Sequence, residues 1–229
     1  MKTEKIGLYF GSFNPIHNGH LAIANYVIEH YNLDSLQFII SPQNPFKDKN
    51  NIESFANRYN MTNLAISEHK KMFASDIENT FTTPSYTSDV LKYIVNNKIF
   101  ISSQDNNAEY YFIIGFDNWN TFEKWHDYQD ILNIGENFNI IIIPRLTERF
   151  NDFSQIKTLI YNIEYQLKLK WLNLFNVNVL YNNDDIPLST MSSTFIRKQI
   201  ENNKNIQFYM PKTVVDYIEK YKIYQQHGL

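Results

Sequence analysis

The sequence of 229 residues predicts an α/β fold in which buried strands alternate with helices. Continuous apolar runs at residues 36–40, 110–114 and 138–143 are typical of strands that are covered on both faces. Segments with helical periodicity lie between such runs, for example at residues 54–71. The length suits one large domain, with or without a small appendage, and is ample for a buried core.

The composition excludes several kinds of site. The chain has no cysteine, which rules out disulfides, thiolate nucleophiles and cysteine-based metal centres. The net charge of −3 gives no overall basic surface for nucleic acid, so any phosphate contacts must be local. No segment is long and apolar enough for a membrane span or a signal peptide. We therefore expect a cytoplasmic protein without nucleic-acid or membrane partners, and the sequence leaves a homo-oligomer open.

The first strand–helix junction carries the clearest chemical signal. Apolar residues 6–10 predict a strand, a loop containing glycine and proline follows, and an amphipathic helix continues from Leu21. His17 and His20 are three residues apart where this helix should begin, so both imidazoles can point at one ligand. A helix start has unpaired N–H groups and a partial positive charge, which favour a bound phosphate. The stretch predicts an anion site; the alternative is that His17 caps the helix and His20 lies on the surface.

The second strand is followed by another candidate phosphate contact. Pro42 and Pro45 enforce a loop after residues 36–40, and Lys47 lies in this loop. In open α/β sheets, ligands bind beyond the carboxyl ends of the strands, so Lys47 is well placed to reach a phosphate. A solvated loop lysine is the alternative.

A helix and a short strand come next. In the helical pattern of residues 54–71, Arg58, Met61 and Ala65 share one face. One interpretation is a core stripe with Arg58 extending from its edge towards solvent; we accept it for Met61 and Ala65 and leave Arg58 open. Residues 73–77 alternate like a strand.

The start of the following helix suggests a pocket for a flat ring. We expect Thr87 to cap this helix and Asp89 to lie in its first turn, where a negative charge suits the helix dipole. Ser85 and Tyr86 stand just before the expected cap. An aromatic side chain between two hydroxyls suits a flat ligand ring with a polar substituent, whereas simple capping would explain Thr87 alone.

The strand at residues 110–114 is followed by an acidic residue and an aromatic stripe. Asp117 comes just after the strand-ending Gly115, where carboxylates commonly hold ribose hydroxyls or order a loop. Three aromatic residues follow at helical spacing, namely Trp119, Phe122 and Trp125. We assign the first two to the core and expect the third, together with His126, to line a pocket.

The segments around the last strands add one cation. Residues 138–143 predict a buried strand with Arg145 just past its end, and arginine suits bidentate contact with phosphate or carboxylate. Residues 152–174 are helical in pattern, and residues 177–180 predict a last strand. The polar loop at residues 102–107 looks like a surface insertion without recognisable chemistry.

A second hydroxyl-rich helix start lies near the end of the sequence. Ser192, Ser193 and Thr194 precede an apolar and basic helical run. Their hydroxyls and the backbone N–H groups can bind phosphate, and Arg197 lies one turn further along. An ordinary capped helix is the alternative. Residues 212–221 form an amphipathic segment that we assign to packing.

Together the motifs resemble those of one enzyme superfamily. The pattern G-x-F-x-P-x-H-x-G-H at residues 11–20 resembles the signature of nucleotidylyltransferases, whereas the P-loop and dinucleotide-fold motifs are missing. With residues 84–89, 113–125 and 192–197, the sequence is similar to bacterial nicotinate-nucleotide adenylyltransferases over nearly its whole length. Asn14 stands where many members have aspartate.

The resemblance implies both a fold and a reaction. The fold is a Rossmann-like nucleotidylyltransferase fold, a parallel central sheet flanked by helices, with a core at residues 1–185 and a small helical C-terminal part at residues 186–229. The reaction transfers AMP from ATP to nicotinate mononucleotide and gives deamido-NAD and pyrophosphate in NAD biosynthesis. Mg²⁺ would be delivered with ATP. Because the mononucleotide phosphate is already a nucleophile near neutral pH, catalysis would rest on positioning and charge neutralisation.

The resemblance also implies roles for three groups of residues. The catalytic group, along the ATP phosphates, would be His17, His20, Lys47 and Arg197, with His20 nearest the α-phosphate. Other ATP contacts would come from Gly11, Ser12, Phe13, Gly19, Gly115, Asp117, Ser192, Ser193 and Thr194. The nicotinate mononucleotide would be bound by Ser85, Tyr86, Thr87, Trp125 and Arg145, with Trp125 stacked on the pyridine ring.

Two other functions stay open at this point. One is a different nucleotidylyltransferase, acting on nicotinamide mononucleotide or on phosphopantetheine, although the hydroxyl and aromatic pocket residues argue against pantetheine. The other is a non-catalytic nucleotide sensor. The intact histidines, Lys47 and Arg197 disfavour a sensor, because a sensor has no need of transition-state contacts.

Overall fold

The structure, a computed structural model, contains one parallel sheet with helices on both faces. It describes residues 2–42, 52–82, 85–103, 106–143, 177–179 (backbone only) and 191–225. These residues contain six strands: β1 (Thr3–Gly11), β2 (Ser35–Ile40), β3 (Met72–Ser75), β4 (Asn107–Gly115), β5 (Phe138–Ile143) and β6 (Val177–Val179). All neighbouring strands run parallel, in the order β3-β2-β1-β4-β5-β6. The α/β class and the parallel sheet are therefore confirmed.

The helices lie mostly between successive strands. They are α1 (Asn18–Tyr31), α2 (Phe55–Ile66), α3 (Thr87–Asn96), α4 (Phe116–Trp119), α5 (Tyr128–Leu132), α6 (Ser193–Glu201) and α7 (Lys212–Tyr221). Short 3₁₀ turns lie at Ile77–Thr80 and Phe122–Lys124. Across the described part of the chain, no helix is both long and apolar enough to cross a membrane.

The strand order reverses between β1 and β4. From β1 the chain moves outward to β2 and β3, and it then returns to place β4 on the other side of β1. Residues Leu8 and Phe112 are paired in this central ladder. In open α/β sheets the reversal opens a crevice at the carboxyl ends of the two strands. The His17 and His20 loop follows β1 and Asp117 follows β4, so both candidate segments leave the sheet at this edge.

Two apolar layers cover the two faces of the sheet. One layer joins the sheet to α1, α2, α6 and α7, and it includes the fully buried Met61, Ile196 and Val214. The other joins the sheet to α3 and α5 and includes Leu91 and Ile131. Helices α6 and α7 thus share the core of the sheet. The predicted boundary between residues 185 and 186 lies outside the described residues, as does the predicted helix at 152–174.

Three local predictions are wrong in detail. Helix α2 begins after Ser54, whose hydroxyl accepts from Asn57 N–H at 3.2 Å, and it ends at Ile66 rather than near residue 71. Helix α3 has Tyr86, not Thr87, at its N-cap, because Tyr86 is the last residue with extended backbone angles. The aromatic stripe does not lie on one continuous helix, since α4 and a separate 3₁₀ turn divide it.

The described residues of the polar loop at 102–107 also differ from the expected surface insertion, because Ser102 and Asn106 bind a buried carboxylate. Glu4 accepts hydrogen bonds from the Ser102 backbone at 3.0 Å, from the Ser102 hydroxyl at 2.6 Å and from the Asn106 amide. These bonds hold the pKa of Glu4 below its ordinary value. Glu4 therefore connects the amino end of β1 to Ser102 and Asn106, which precede β4. Sequence patterns did not reveal it because Glu4 is about a hundred residues away.

Candidate active site

The loop after β1 is shaped by close packing. Phe13 has a left-handed backbone, with φ of 41°, and its buried ring lies over Gly11. A Cβ atom at Gly11 would lie only 2.8 Å from the Phe13 ring, so this position has no room for a side chain. The loop then turns into α1 at His17, the N-cap, whose φ and ψ of −151° and 169° are extended.

The two histidines lie together at the start of α1, as their spacing predicted. Their rings are stacked, with centroids 3.7 Å apart and planes 23° apart. The His20 Nδ1 atom accepts a hydrogen bond from the His17 backbone N–H at 3.3 Å. Because Nδ1 is an acceptor, the neutral His20 ring carries its proton on Nε2. His17 is 1% exposed and occupies the N-cap of the helix, as the capping interpretation expects.

The start of α6 docks on the same loop. The Ser193 hydroxyl donates to the Pro15 carbonyl at 2.8 Å, and the Arg197 guanidinium donates to the Asn14 carbonyl at 2.7 Å. Ser192 caps α6 by accepting from the Phe195 N–H at 3.2 Å. Two helix N-termini therefore meet at residues 14–15. The structure brings together the two motifs that the sequence proposed as phosphate-binding, although they are separated by more than 170 residues.

Asn14 acts as a junction between three parts of the chain. Its side-chain oxygen accepts from the Glu53 N–H at 3.1 Å and from the Tyr224 hydroxyl at 2.7 Å. Burial raises the pKa of Tyr224, which keeps this hydroxyl protonated as a donor. An amide oxygen and a carboxylate oxygen can both accept these two bonds. The contacts seen at Asn14 therefore need an acceptor but not a negative charge.

Arg58 holds the neighbouring loops together, and it does not extend from the edge of the core stripe to solvent. It is fully buried and donates four hydrogen bonds to backbone carbonyls. The acceptors are Glu53 at 2.9 Å, Ser12 at 2.8 Å, Ser41 at 2.8 Å and Pro42 at 3.0 Å. Burial lowers the pKa of Arg58. The sequence signal was a single cation on an apolar helix face, but its carbonyl partners leave no pattern in sequence.

The start of α3 carries residues that the sequence assigns to a ring pocket. The Tyr86 ring packs on the His126 ring, with centroids 4.0 Å apart. Trp125 is half-buried and contacts Phe122, with ring centroids 5.6 Å apart, so it borders the core. Ser85 is buried, and its hydroxyl donates to the Glu78 carboxylate at 2.8 Å. The sequence analysis did not single out Glu78.

The remaining predicted residues divide into two groups. Asp117 is exposed in the first turn of α4, with Gly115 at the N-cap, and it follows β4, the strand paired with β1. Lys47 and Arg145 lie outside the described residues. Within those residues, no group of three or more His, Asp or Glu side chains could hold a metal ion.

The fold and the site together define a class of protein. A parallel sheet with a central reversal, and a histidine pair at the first helix start beside a second capped helix, are typical of nucleotidylyltransferases. Residues 8–199 match the family described as cytidylyltransferase-like. The chain belongs to this family and, within it, to the nicotinate-nucleotide adenylyltransferases, as the following relatives establish.

The relatives match over almost their full length. A Flavobacterium johnsoniae protein named "Probable nicotinate-nucleotide adenylyltransferase" is 35% identical over 222 residues, which cover 97% of this chain and all of that protein. A relative of the same name from Azobacteroides pseudotrichonymphae is 37% identical over 92% of this chain and 94% of its own. The resemblance found in the sequence is therefore confirmed, and the protein is a nucleotidyltransferase enzyme.

A solved structure agrees at the level of the fold. The Plasmodium falciparum nicotinic acid mononucleotide adenylyltransferase complexed with NaAD superposes with a TM-score of 0.67. The match covers 96% of this chain and 97% of that chain at 20% sequence identity. The Rossmann-like nucleotidylyltransferase fold is thereby confirmed.

Proposed function

We propose that the protein transfers AMP from ATP to nicotinate mononucleotide, forming deamido-NAD and pyrophosphate in NAD biosynthesis. The observation that carries this proposal is the meeting of two helix N-termini at residues 14–15, where His17, His20 and Arg197 lie beside the β1 loop. Such a cluster of N–H groups, imidazole donors and one guanidinium cation suits a triphosphate. The names of the close relatives supply the substrates.

The reaction needs no covalent intermediate on the protein. An oxygen of the mononucleotide phosphate attacks the α-phosphorus of ATP, the bond to the oxygen that bridges to the β-phosphate breaks, and pyrophosphate leaves with that electron pair. The attacking phosphate is already ionised near neutral pH, so no general base is required. The task of the protein is to align the two phosphates and to stabilise the charge that develops in the transition state.

Residue roles are proposed from the family resemblance, and the geometry of the loop supports the role of His20. His20 would donate from Nε2 to the α-phosphate, because its Nδ1 already accepts from His17 N–H. His17, Lys47 and Arg197 would lie along the departing phosphates. Proposed nucleotide contacts are Gly11, Ser12, Phe13, Gly19, Gly115, Asp117, Ser192, Ser193 and Thr194.

The pyridine ring would bind beside the start of α3. Tyr86, Thr87 and Trp125 would form the ring pocket, with Arg145 near the mononucleotide's charged groups. The hydroxyl of Ser85 already donates to Glu78, so Ser85 would act mainly by shaping the backbone at the helix start.

Mg²⁺ is proposed to enter bound to ATP. The side-chain donors at the start of α1 are histidine nitrogens, whereas Mg²⁺ prefers oxygen ligands and commonly bridges substrate phosphates. When bound, Mg²⁺ supplies charge neutralisation on the triphosphate. The cytoplasm, where ATP is abundant, is the proposed compartment.

One assay tests the proposal. The purified protein is incubated with Mg-ATP and either nicotinate or nicotinamide mononucleotide, and pyrophosphate release is measured. Faster turnover of the nicotinate substrate is expected. A preference for the nicotinamide substrate would change the assigned substrate, and tight ATP binding without any pyrophosphate release would show a sensor instead.

A further inference from the structure

Glu78 is a buried carboxylate that the proposed mechanism does not use. It lies in the 3₁₀ turn after β3 and is 3% exposed. One carboxylate oxygen accepts from the Ser41 hydroxyl at 2.9 Å, and the other accepts from the Ser85 hydroxyl at 2.8 Å. Burial raises the pKa of Glu78 even though these two bonds oppose the shift. Burying a carboxylate is costly unless hydrogen bonds compensate for the lost water. The two groups that bind Glu78 therefore indicate its structural role.

The first partner belongs to the phosphate end of the site. Ser41 directly follows β2, and its backbone N–H donates to the Gly11 carbonyl at 3.0 Å. The Ser41 carbonyl accepts from Arg58, which also donates to the Ser12 carbonyl at 2.8 Å. Ser41 is therefore fixed to the loop that leads to the histidine pair.

The second partner belongs to the predicted ring pocket. Ser85 immediately precedes Tyr86, the N-cap of α3, and is buried. The backbone from Ser85 onward sets where the first N–H groups of α3 and the Tyr86 ring lie. Glu78 thus links the β1 and β2 loops, through Ser41, to the start of α3.

We propose that Glu78 is a positioning residue that fixes the ring pocket relative to the phosphate-binding loops. This inference rests on the proposed function, because the spacing between the two parts matters most when a mononucleotide must align with the α-phosphate of ATP. A shift of the pocket by a fraction of an ångström would misalign the attacking phosphate.

The substitution Glu78→Ala removes both acceptors. We expect the KM for nicotinate mononucleotide to rise about tenfold or more, while the KM for ATP changes by less than about threefold, because the pocket moves and the phosphate loops remain held by Arg58. Glu78→Gln should recover most of the loss. Its amide oxygen accepts from one serine, and its NH₂ group can donate to the other after that hydroxyl rotates.

Glu4→Ala is the matched control. Glu4 is also buried and hydrogen-bonded by a serine hydroxyl, but it lies at the amino end of β1, whereas the candidate site lies at the carboxyl ends of the strands. This variant should be less stable without any change in either KM. Hydrogen–deuterium exchange at residues 85–91 gives a second readout that does not depend on turnover, and it should become faster in Glu78→Ala but not in Glu4→Ala.

The outcomes separate this inference from the proposed function. An unchanged KM for the mononucleotide, or exchange at residues 85–91 equal to that of the Glu4 variant, would overturn the role of Glu78. A lack of recovery in Glu78→Gln would also count against it. If the wild-type protein releases no pyrophosphate, the proposed function fails, and the exchange data still decide whether Glu78 fixes α3. If Glu78→Ala does not fold, Ser85→Ala removes only the α3 end of the link and is expected to give the same KM pattern.

Discussion

Several residues proposed for catalysis also hold the β1 loop and its neighbours in place. His17 is the N-cap of α1 while its ring stacks on His20, and Arg197, one turn into α6, donates to the Asn14 carbonyl. Under the proposed function, a substitution at such a residue is expected to change both stability and turnover. Tests of catalytic roles must therefore measure the two effects separately.

His20 is the most direct test of the proposed chemistry. Its replacement by alanine removes ring contacts with His17 and Phe13 and the acceptor of the His17 N–H, and it should also remove a contact to the α-phosphate in the transition state. We expect kcat to fall by on the order of 10²-fold while the protein still folds, which a thermal melt checks. His30→Ala, at the exposed last turn of the same helix, is the control and should keep its kcat. A kcat near the wild-type value in His20→Ala would remove His20 from the mechanism.

Asn14 tests whether a charge is needed in the loop. Because its observed role is to accept two hydrogen bonds, Asn14→Asp should keep kcat within about threefold of the wild type, whereas Asn14→Leu leaves the Glu53 and Tyr224 donors unpaired. The leucine variant should lose about 1–3 kcal/mol in the free energy of unfolding. Urea denaturation and steady-state kinetics check the two variants. A large gain or loss of turnover in Asn14→Asp would show that charge tunes this loop.

At the scale of elements, loops from different parts of the chain are joined by one buried cation. Arg58 on α2 donates to the loops after β1 and β2, and the five N–H groups of a guanidinium suit this number of acceptors. In Arg58→Lys, the ammonium group would offer only three N–H donors and is smaller than the guanidinium group. The loops that surround the site therefore depend on a residue that does not need to touch a substrate.

We expect Arg58→Met to lower the free energy of unfolding by at least about 3 kcal/mol, because several buried carbonyls would lose their donor. The free energy of unfolding of Arg58→Lys should lie between those of Arg58→Met and the wild type. Guanidinium denaturation measures the difference. Equal stability of Arg58→Met and the wild type would mean that water or neighbouring groups replace the four bonds.

The hydrogen bonds of Glu4 predict that the stability of the fold depends on pH. The pKa of Glu4 is lowered in the folded protein, so ionised Glu4 contributes stability above the ordinary pKa, and this contribution is lost as pH falls through the lowered value. Glu4→Gln should therefore be less stable than the wild type at neutral pH. The difference in the free energy of unfolding should shrink as pH falls below about 4. Urea denaturation across this range measures it, and a constant difference would contradict the assignment.

At the scale of the whole molecule, local patterns in the sequence were sufficient for most elements. The apolar run at residues 138–143 predicted β5, and the spacing of His17 and His20 predicted their shared face, because both signals lie within a few residues. The same holds for the cap at Ser192. These features depend on the spacing of apolar residues and on the residue types at helix ends, and both can be read from neighbouring positions in the sequence.

The links between elements could not be predicted in the same way. Arg58 and Glu78 find their partners in loops from separate segments, and only the folded sheet brings those loops to one edge. The role of Ser85 as a partner of Glu78, rather than only as a pocket residue, has the same origin. Sequence therefore predicted where the candidate residues stand along the chain, but not which buried side chains hold their loops together.

The contacts of the β1 loop also set an order of events during synthesis. Asn14 and Pro15 emerge early from the ribosome, yet Ser193 and Tyr224, which hydrogen-bond to them, emerge only after most of the chain has been made. The amino-terminal strands can begin to fold as they appear. The loop must nevertheless wait for residues about 180 to 210 positions later before its contacts are complete. A nascent chain halted before α6 would therefore display the histidine motif without the contacts that complete it.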